Sequence, residues 1–256
     1  MRATDKMNFT ILRFDTIDST NTEAANQARR GADEGLCVIA RQQTAGRGRQ
    51  GRAWVSAKDS GLYFSVVLRP LVEAKLLPLI TLMTGVAVHD TLKEFGVDPD
   101  IKWVNDVLVV EKKIGGILAE TVETPDGIAV VVGIGINLKS SNFPDEIAAT
   151  ATSIAAETGK AIDADELAAA LTRYLSYFYD ILNETDGARE ILRHWQQRST
   201  YFSGKSVRVT LPDGVIEGTT DGLEETGALR VKIPDGTVRI IQAGDVERLR
   251  GQNRER

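Results

Sequence analysis

The pattern of apolar and polar residues predicts that strands and helices alternate in the first part of the chain. Residues 8–14 show the two-residue period of a β-strand, and the apolar runs at residues 36–43 and 62–69 also predict strands. Capping side chains at the start of residues 19–30 predict a helix there, and residues 76–95 carry apolar side chains at helical spacing. This alternation indicates a sheet with helices packed against it.

The middle of the chain changes to short runs rich in Val and Ile, separated by turn residues. These runs lie at residues 101–104, 107–110, 113–122 and 128–136. Consecutive short strands joined by tight turns favour antiparallel pairing. Two further helices are predicted at 163–182 and 188–197, so the fold class is α+β, with a mixed, largely antiparallel sheet covered by helices.

From residue 205 onward the pattern is β only. The predicted strands lie at residues 207–209, 215–217, 229–233 and 238–241. Pro-Asp-Gly turns separate two of the pairs, as expected for short hairpins. We predict a main domain over residues 1–202 and a small SH3-like β-barrel over residues 203–256.

Composition narrows the classes of function. The chain has 256 residues and a formal net charge of −5, so no overall positive field favours DNA binding. Cys37 lies in an apolar run, where a packed thiol is expected, and one cysteine cannot form a disulfide within the chain. Without a signal-like start or a long apolar stretch, we expect a cytoplasmic protein that does not enter a membrane.

A loop rich in glycine and arginine is the first candidate for chemistry. It combines flexible backbone with cationic side chains and ends on an aromatic residue. Its candidate residues are Gly46, Arg47, Gly48, Arg49, Arg52 and Trp54. Such a loop can bend closely around an anionic ligand, although the same composition also suits a solvated basic loop or a nucleic-acid segment.

A strand-to-strand turn supplies the second candidate cluster. Lys102, Asn105 and Asp106 lie at this turn, and Lys113 follows on the next strand. Because a hairpin brings distant residues side by side, Lys102, Asp106 and Lys113 can converge at one rim of the sheet. Two cations and a carboxylate suit phosphate chemistry, but each residue alone is also typical of a surface.

The third candidate is a strand in which Gly133 and Gly135 occupy alternate positions and Asn137 closes the run. Alternate glycines clear one face of a sheet, so that a ligand ring can approach the backbone. A Gly-x-Gly pair alone is weak evidence, and the third glycine of a dinucleotide-binding fingerprint is missing.

Together these segments resemble biotin protein ligases. The family signatures are a Gly-Arg-Gly-Arg-x-Gly-Arg-x-Trp loop, a Lys-Trp-Pro-Asn-Asp turn, a Lys-x-x-Gly-Ile-Leu strand and a Gly-x-Gly-x-Asn strand, and they span about residues 9–140 here. Val104 stands where the family usually has proline. The resemblance implies a catalytic domain of the biotin–lipoate ligase type, similar to class II aminoacyl-tRNA synthetases.

The resemblance also implies a reaction. Biotin is activated with ATP, and with Mg²⁺ that enters with ATP rather than in a dedicated protein site, to biotinyl-5′-AMP and pyrophosphate. The biotin is then transferred to a lysine of a biotin carboxyl carrier protein, such as that of acetyl-CoA carboxylase.

Roles for individual residues follow from the same resemblance. Residues expected to bind biotin are Ser19, Thr20, Asn21, Gln43, Gly46, Arg47, Gly48, Arg49, Lys113, Gly116, Gly133 and Gly135. Residues expected to bind ATP or the adenylate are Arg49, Arg52, Trp54, Lys102, Asn105, Asp106, Lys113 and Asn137. Residues expected to take part in catalysis are Lys113, Arg49, Lys102 and Asp106, the last by orienting or deprotonating the acceptor lysine.

Two other functions fit parts of the pattern. A lipoate ligase or lipoyl transferase would share the fold, but the transferases use a thiol, for which Cys37 is poorly placed. A sensor of biotin or adenylate would keep the pocket and add a regulatory surface. Few residues precede the first strand, so we expect no N-terminal DNA-binding domain. Exposed sheet edges leave a homodimer possible.

Overall fold

Two β-sheets organise the protein. Its computed structural model describes residues 7–141, 143–212 and 214–248. The larger sheet has seven strands in the order β1-β2-β3-β7-β6-β5-β4. Its strands are β1 (Thr10–Ile17), β2 (Leu36–Gln43), β3 (Gly61–Leu68), β4 (Asp100–Lys102), β5 (Asp106–Val109), β6 (Lys112–Thr124) and β7 (Gly127–Asn137). Strands β1 and β2 are parallel and the other pairs are antiparallel, which confirms the predicted mixed sheet.

Helices cover both faces of this sheet. They are α1 (Thr20–Arg29), α2 (Leu79–Glu94), α3 (Asp145–Ala148), α4 (Ile154–Thr158), α5 (Ala164–Leu182) and α6 (Gly187–Gln196). On one face, Leu62, Phe64 and Val66 of β3 belong to the large core that includes α2, α5 and α6. On the other face, α1 covers a smaller apolar cluster with Ala24 and Ala28.

The helix starts follow local sequence signals. Ser19 caps α1 by accepting a hydrogen bond from the backbone N–H of Thr22, and Asp163 caps α5, as predicted. Helix α2 begins at Leu79 rather than near residue 76. Pro78 stands just before it, where a fixed φ suits a helix start, and a short 3₁₀ turn precedes it. Helices α3 and α4 were not predicted, because four or five residues are too short to show a helical period.

The smaller sheet has five antiparallel strands in the order β11-β10-β9-β8-β12. They are β8 (Ser203–Leu211), β9 (Gly214–Leu223), β10 (Leu229–Lys232), β11 (Val238–Ile241) and β12 (Asp245–Arg248). Strand β12 was not predicted, and Asp213 of the predicted first turn lies outside the described residues. The sheet is confirmed, whereas its closure into an SH3-like barrel stays a prediction.

The two sheets share one apolar core. Val207, Leu229 and Val246 of the smaller sheet belong to the same buried cluster as the helices of the larger one. The indole N–H of Trp103, after β4, donates a hydrogen bond of 2.9 Å to the Gly227 carbonyl before β10. This contact fixes the smaller sheet beside the β4–β5 turn. Within the described ranges, no helix is long and apolar enough to cross a membrane.

Candidate active site

A cleft opens on the face of the larger sheet that carries α1, between the start of α1, the arginine loop and β12 of the smaller sheet. Most of the predicted site residues line it. These are Ser19, Thr20, Asn21, Gln43, Arg47, Gly48, Arg49, Arg52, Trp54, Asn105, Asp106, Lys113, Gly116, Gly133 and Gly135. Gly46, Lys102 and Asn137 lie behind this lining and contact residues that form it.

The arginine loop folds into a narrow hairpin. Trp54 donates from its backbone N–H to the carbonyl of Gly46 at 2.9 Å, and Gly48 donates to the carbonyl of Arg52 at 2.7 Å. A side chain at Gly46 would collide with the Trp54 carbonyl, so this position requires glycine. At the hairpin tip, Gln50 adopts a positive φ of 56°. The loop thus has a defined shape, from which its arginines extend toward other elements of the protein.

Each arginine of the loop is held by a different element of the protein. Arg47 forms a bidentate pair with Glu120 of β6 at 3.0 and 3.1 Å. Arg49 donates to the side-chain oxygen of Asn105 at 3.1 Å, and Arg52 pairs with Asp245 of β12. These three attachments hold the loop across the cleft from β6 to the smaller sheet.

The turn between β4 and β5 brings two lysines onto one carboxylate. The Asp106 oxygens lie 2.9 Å from Lys102 Nζ and 2.5 Å from Lys113 Nζ, so the predicted convergence is confirmed. Burial raises the pKa of Asp106, but the nearby ammonium groups of Lys113 and Lys102 outweigh burial and leave this pKa below its usual 3.8. The carboxylate is therefore charged at neutral pH and holds both ammonium groups at the cleft.

The backbone of Lys113 is fixed by the segment after β7. Lys113 donates from its N–H to the Thr150 carbonyl at 2.8 Å and accepts from the Thr152 N–H at 2.9 Å. Asn137 reinforces this pairing by donating to the Thr152 carbonyl at 2.9 Å. The side-chain amide of Asn137 therefore supports Lys113 from behind.

Asn105 links the loop to the sheet. Its side-chain N–H donates to the Ile117 carbonyl at 2.9 Å, while its oxygen accepts from Arg49. Through these two hydrogen bonds, Asn105 aligns Arg49 with the turn that carries Asp106. In the same turn, the peptide bond between Trp103 and Val104 is cis.

The start of α1 contributes a buried polar network. Thr20 donates from its backbone N–H to Gln43 Oε1 at 2.8 Å, and Gln43 donates from its amide to Ser56 at 2.8 Å. Ser65, fully buried on β3, lies 2.8 Å from the Thr20 hydroxyl and 2.7 Å from the Asn21 oxygen. Ser19 at the helix cap accepts from Thr22 and retains its hydroxyl proton for another partner.

The alternate glycines of β7 do clear one face of the sheet, but protein side chains fill the cleared space. The Asn21 amide lies against Gly133, and the Trp54 indole lies against Gly135 and Gly116. The prediction that a ligand ring lies there did not anticipate these two side chains, because both come from distant segments. The Trp54 N–H is buried and has no hydrogen-bond partner among the described residues.

Several site residues were not predicted. Glu120 lies on the same strand face as Gly116, and this two-residue alternation is a signal that points to it. Asp245 comes from the smaller sheet, where no local pattern marks it. Ser56 and Ser65 also hold site residues, yet each is a single hydroxyl in an otherwise unremarkable segment.

The remaining reactive groups lie away from the cleft. Cys37 is fully buried, and burial raises the pKa of its thiol to about 12, so it is a poor nucleophile. His89 and His194 contact Asp90 and Arg198 in the helical layer. Among the described residues, no group of three or more His, Cys, Asp or Glu side chains forms a metal site.

Comparison with protein families gives matches over both parts of the chain. The family described as "Biotin/lipoate A/B protein ligase family" matches residues 13–137. The family described as "Biotin protein ligase C terminal domain" matches residues 202–249. The first match contains the arginine loop, the lysine turn and the glycine strand, and the second contains Asp245.

Individual relatives match over most of their length. The chain is 34% identical to the bifunctional ligase/repressor BirA of Bacillus subtilis, over 95% of this chain and 75% of that protein. It is 33% identical to the biotin–[acetyl-CoA-carboxylase] ligase of Paracoccus denitrificans, over 90% and 96% respectively. The solved biotin protein ligase of Aquifex aeolicus, in complex with biotin and ATP, superposes with a TM-score of 0.83 at 30% identity, covering 94% of this chain and 99% of that one.

Proposed function

Because this chain belongs to the biotin protein ligase family, we propose that its cleft carries out both steps of ATP-dependent biotin–protein ligation through the residues described above. In the first step, a biotin carboxylate oxygen attacks the α-phosphorus of ATP and pyrophosphate leaves. In the second, the amine of an acceptor lysine attacks the acyl carbon of biotinyl-5′-AMP, and AMP and a proton leave.

The observation that carries this proposal is the Asp106 carboxylate held between two lysines, at a cleft that three arginines also line. Both substrates are anionic, and negative charge concentrates around the α-phosphate in the first transition state. Cations fixed in advance stabilise such a transition state without reorganising. Lys113 is assigned to the biotin carboxylate and α-phosphate.

The other site residues are assigned to one or the other of the two substrates. Residues assigned to ATP, with the Mg²⁺ that enters on its phosphates, or to the adenylate are Arg49, Arg52, Trp54, Lys102, Asn105, Asp106 and Asn137. Ser19, Thr20, Asn21 and Gln43 are assigned to the biotin ring, because the first three are buried polar residues that line the cleft and the partly buried Gln43 joins them through Thr20. Both N–H groups of Asn21 already have acceptors, so only a lone pair of its oxygen remains for a ligand.

The acceptor follows from relatives. The Paracoccus enzyme is named for acetyl-CoA carboxylase, so we assign the acceptor lysine to a biotin carboxyl carrier domain of that carboxylase or another biotin-dependent carboxylase. Residues 1–202 are proposed to form the catalytic unit and residues 203–256 the unit that supplies Asp245. The free thiol of Cys37 suits a cytoplasmic location. A homodimer through an exposed sheet edge stays a prediction.

The test is pyrophosphate release from Mg-ATP with biotin or lipoate. We expect biotin-dependent release in the wild type and its loss in Lys113→Ala, because removing the ammonium leaves the developing charge uncompensated. Lys112→Ala is the matched control, since Lys112 is exposed at the neighbouring position of β6. Lipoate-dependent release would assign the cleft to lipoate, and release with neither acid would contradict an activating ligase.

A further inference from the structure

Glu120 stands between the start of α1 and the arginine loop. One of its oxygens accepts from the Asn21 amide at 2.8 Å and from Arg47 at 3.0 Å, and its other oxygen accepts from Arg47 at 3.1 Å. A single carboxylate thus contacts a side chain from α1 and a side chain from the loop.

The contact with Asn21 sets the direction of a buried amide. Asn21 is only 4% exposed, and Gly133 packs against it so closely that no Cβ fits between them. A carboxylate and the Leu118 carbonyl can only accept hydrogen bonds, so both N–H groups of Asn21 point toward them. The Asn21 oxygen must therefore face Ser65.

The direction of Asn21 fixes the protons of its neighbours. The contact of 2.7 Å between Ser65 and the Asn21 oxygen requires the single hydroxyl proton of Ser65. Thr20 then donates its own proton to Ser65 at 2.8 Å or to Gln43 at 3.1 Å. In either case the Thr20 hydroxyl offers only lone pairs to a ligand, which suits the N–H groups of a cyclic urea.

The contact with Arg47 brings the loop into the same arrangement. The side chains of Arg47 and Glu120 are 47% and 35% exposed, so their ion pair contributes little to folding stability. Its two parallel hydrogen bonds do, however, fix the guanidinium in one plane. The ion pair therefore fixes the position of Arg47 rather than stabilising the fold.

From these contacts we propose that Glu120 is a positioning residue that determines specificity for biotin. It directs Asn21, and through Ser65 it makes Thr20 a hydrogen-bond acceptor, while it holds Arg47 over the same ligand. This inference rests on the proposed assignment of Ser19, Thr20, Asn21 and Gln43 to the biotin ring.

The test is steady-state pyrophosphate release by Glu120→Gln. Glutamine keeps the size of the side chain, but its amide nitrogen cannot accept, so the side chain loses either one hydrogen bond from Arg47 or the hydrogen bonds from Asn21 and Arg47 to the other oxygen. We expect the KM for biotin to rise about tenfold and kcat to change by less than about twofold, as for a lost charged hydrogen bond that acts on binding alone. The KM for ATP stays unchanged. Glu123→Gln, the same substitution at an exposed position of β6, is the control and keeps wild-type values.

A double variant separates positioning from general destabilisation. If Glu120 acts through Arg47, Glu120→Gln combined with Arg47→Gln raises the KM for biotin less than the product of the two single effects. A purely structural residue would instead lower Tm and affect both substrates alike. Either an unchanged biotin KM or an equal rise for ATP overturns the inference. Wild-type activity that depends on Lys113 still supports the ligase assignment in that case.

Discussion

Two partly buried carboxylates illustrate how one local arrangement serves two purposes. Asp106 in the cleft and Asp90 in the helical layer are equally exposed, at 18% of the side chain, and each lies between basic partners. Asp90 accepts from Arg198 at 2.7 and 2.8 Å, and Asp106 pairs with Lys102 and Lys113. For both, burial acts to raise the pKa and the partners reverse this effect.

The partners make the difference. Arg198 also donates to the His194 carbonyl at 2.9 Å, so its guanidinium joins the end of α6 to α2 and is largely used within the protein. The ammonium of Lys113 has three N–H donors, and its ion pair with Asp106 uses one. Lys113 lines the cleft, where its remaining donors can meet a ligand. The Asp90 cluster is therefore closed, because its donors are used within the fold. The Asp106 cluster is open, because it leaves donors for substrate.

The sharpest way to test this contrast is to remove the charge of Asp106. In Asp106→Asn, the two ammonium groups lose their shared anion and repel each other. We expect transfer of biotin from preformed adenylate to slow by about a hundredfold, as is typical when reacting groups lose their alignment. The rate is measured in a single turnover with a carrier domain, and Tm serves as the control.

Unchanged transfer in Asp106→Asn would remove Asp106 from the second step. The lowered pKa of Asp106 makes it a weak base. We therefore favour a role in which Asp106 orients Lys102 and Lys113 over one in which it removes a proton from the acceptor lysine. A base acts in the transfer step alone, so Asp106→Asn would then keep the wild-type rate of adenylate formation. Loss of the orientation of Lys102 and Lys113 would slow adenylate formation as well, which pyrophosphate release measures.

The complementary change is Asp90→Asn, which we expect to lower stability and leave activity at 25 °C unaltered. The pKa of Asp90 falls from 3.8 to about 2, and this shift corresponds to roughly 2 kcal/mol of folding free energy. Urea unfolding at neutral pH measures the loss. A loss of ligation without a loss of stability would contradict the division between the two clusters.

The pH dependence of this stability has a definite sign. A carboxyl with a lowered pKa stabilises the fold above its unfolded pKa, and this contribution disappears as pH falls through the folded pKa. The difference between wild type and Asp90→Asn is therefore fully present above about pH 4 and declines toward pH 2. A difference that stays constant over this window would assign the stabilisation to packing instead.

The same contrast separates what the sequence could predict from what it could not. The convergence of Lys102, Asp106 and Lys113 follows from adjacent strands joined by short turns, so local pattern was sufficient. The Asp90 cluster was not predicted, because Arg198 lies far from Asp90 in sequence and the helix packing that joins them has no local signature. Asp245 was missed for the same reason.

The side chains that fill the cleft show most clearly what the sequence pattern could not predict. Gly133 and Gly135 indicated that one face of β7 is clear, and the structure has that clear face. The pattern could not show that Asn21 and Trp54 occupy it, since both side chains arrive from segments whose packing depends on the whole fold. Sequence thus identified the surface of the site but not the contacts that shape it.

The smallest expected effect concerns two tryptophans, one in each region. Among the described residues, two buried side-chain nitrogens lack a hydrogen-bond partner, the indole N–H groups of Trp54 and Trp195. Trp54 lies on Gly135 and Gly116 at the cleft, with Lys113 Nζ 5.4 Å from its ring, whereas Trp195 is fully buried in the helical core. A ligand in the cleft must change the surroundings of Trp54 and leave those of Trp195 unaltered.

We therefore expect biotin with ATP to shift the fluorescence emission of the wild type and to leave that of Trp54→Phe unchanged. Phenylalanine retains an aromatic ring over the glycines, so the cleft keeps its apolar wall. A shift of equal size in Trp54→Phe would come from Trp103, beside the β4–β5 turn, or from Trp195 in the helical core. If Trp195→Phe removes that shift, binding reaches the helical core, and the distinction between the open cluster and the closed one does not hold.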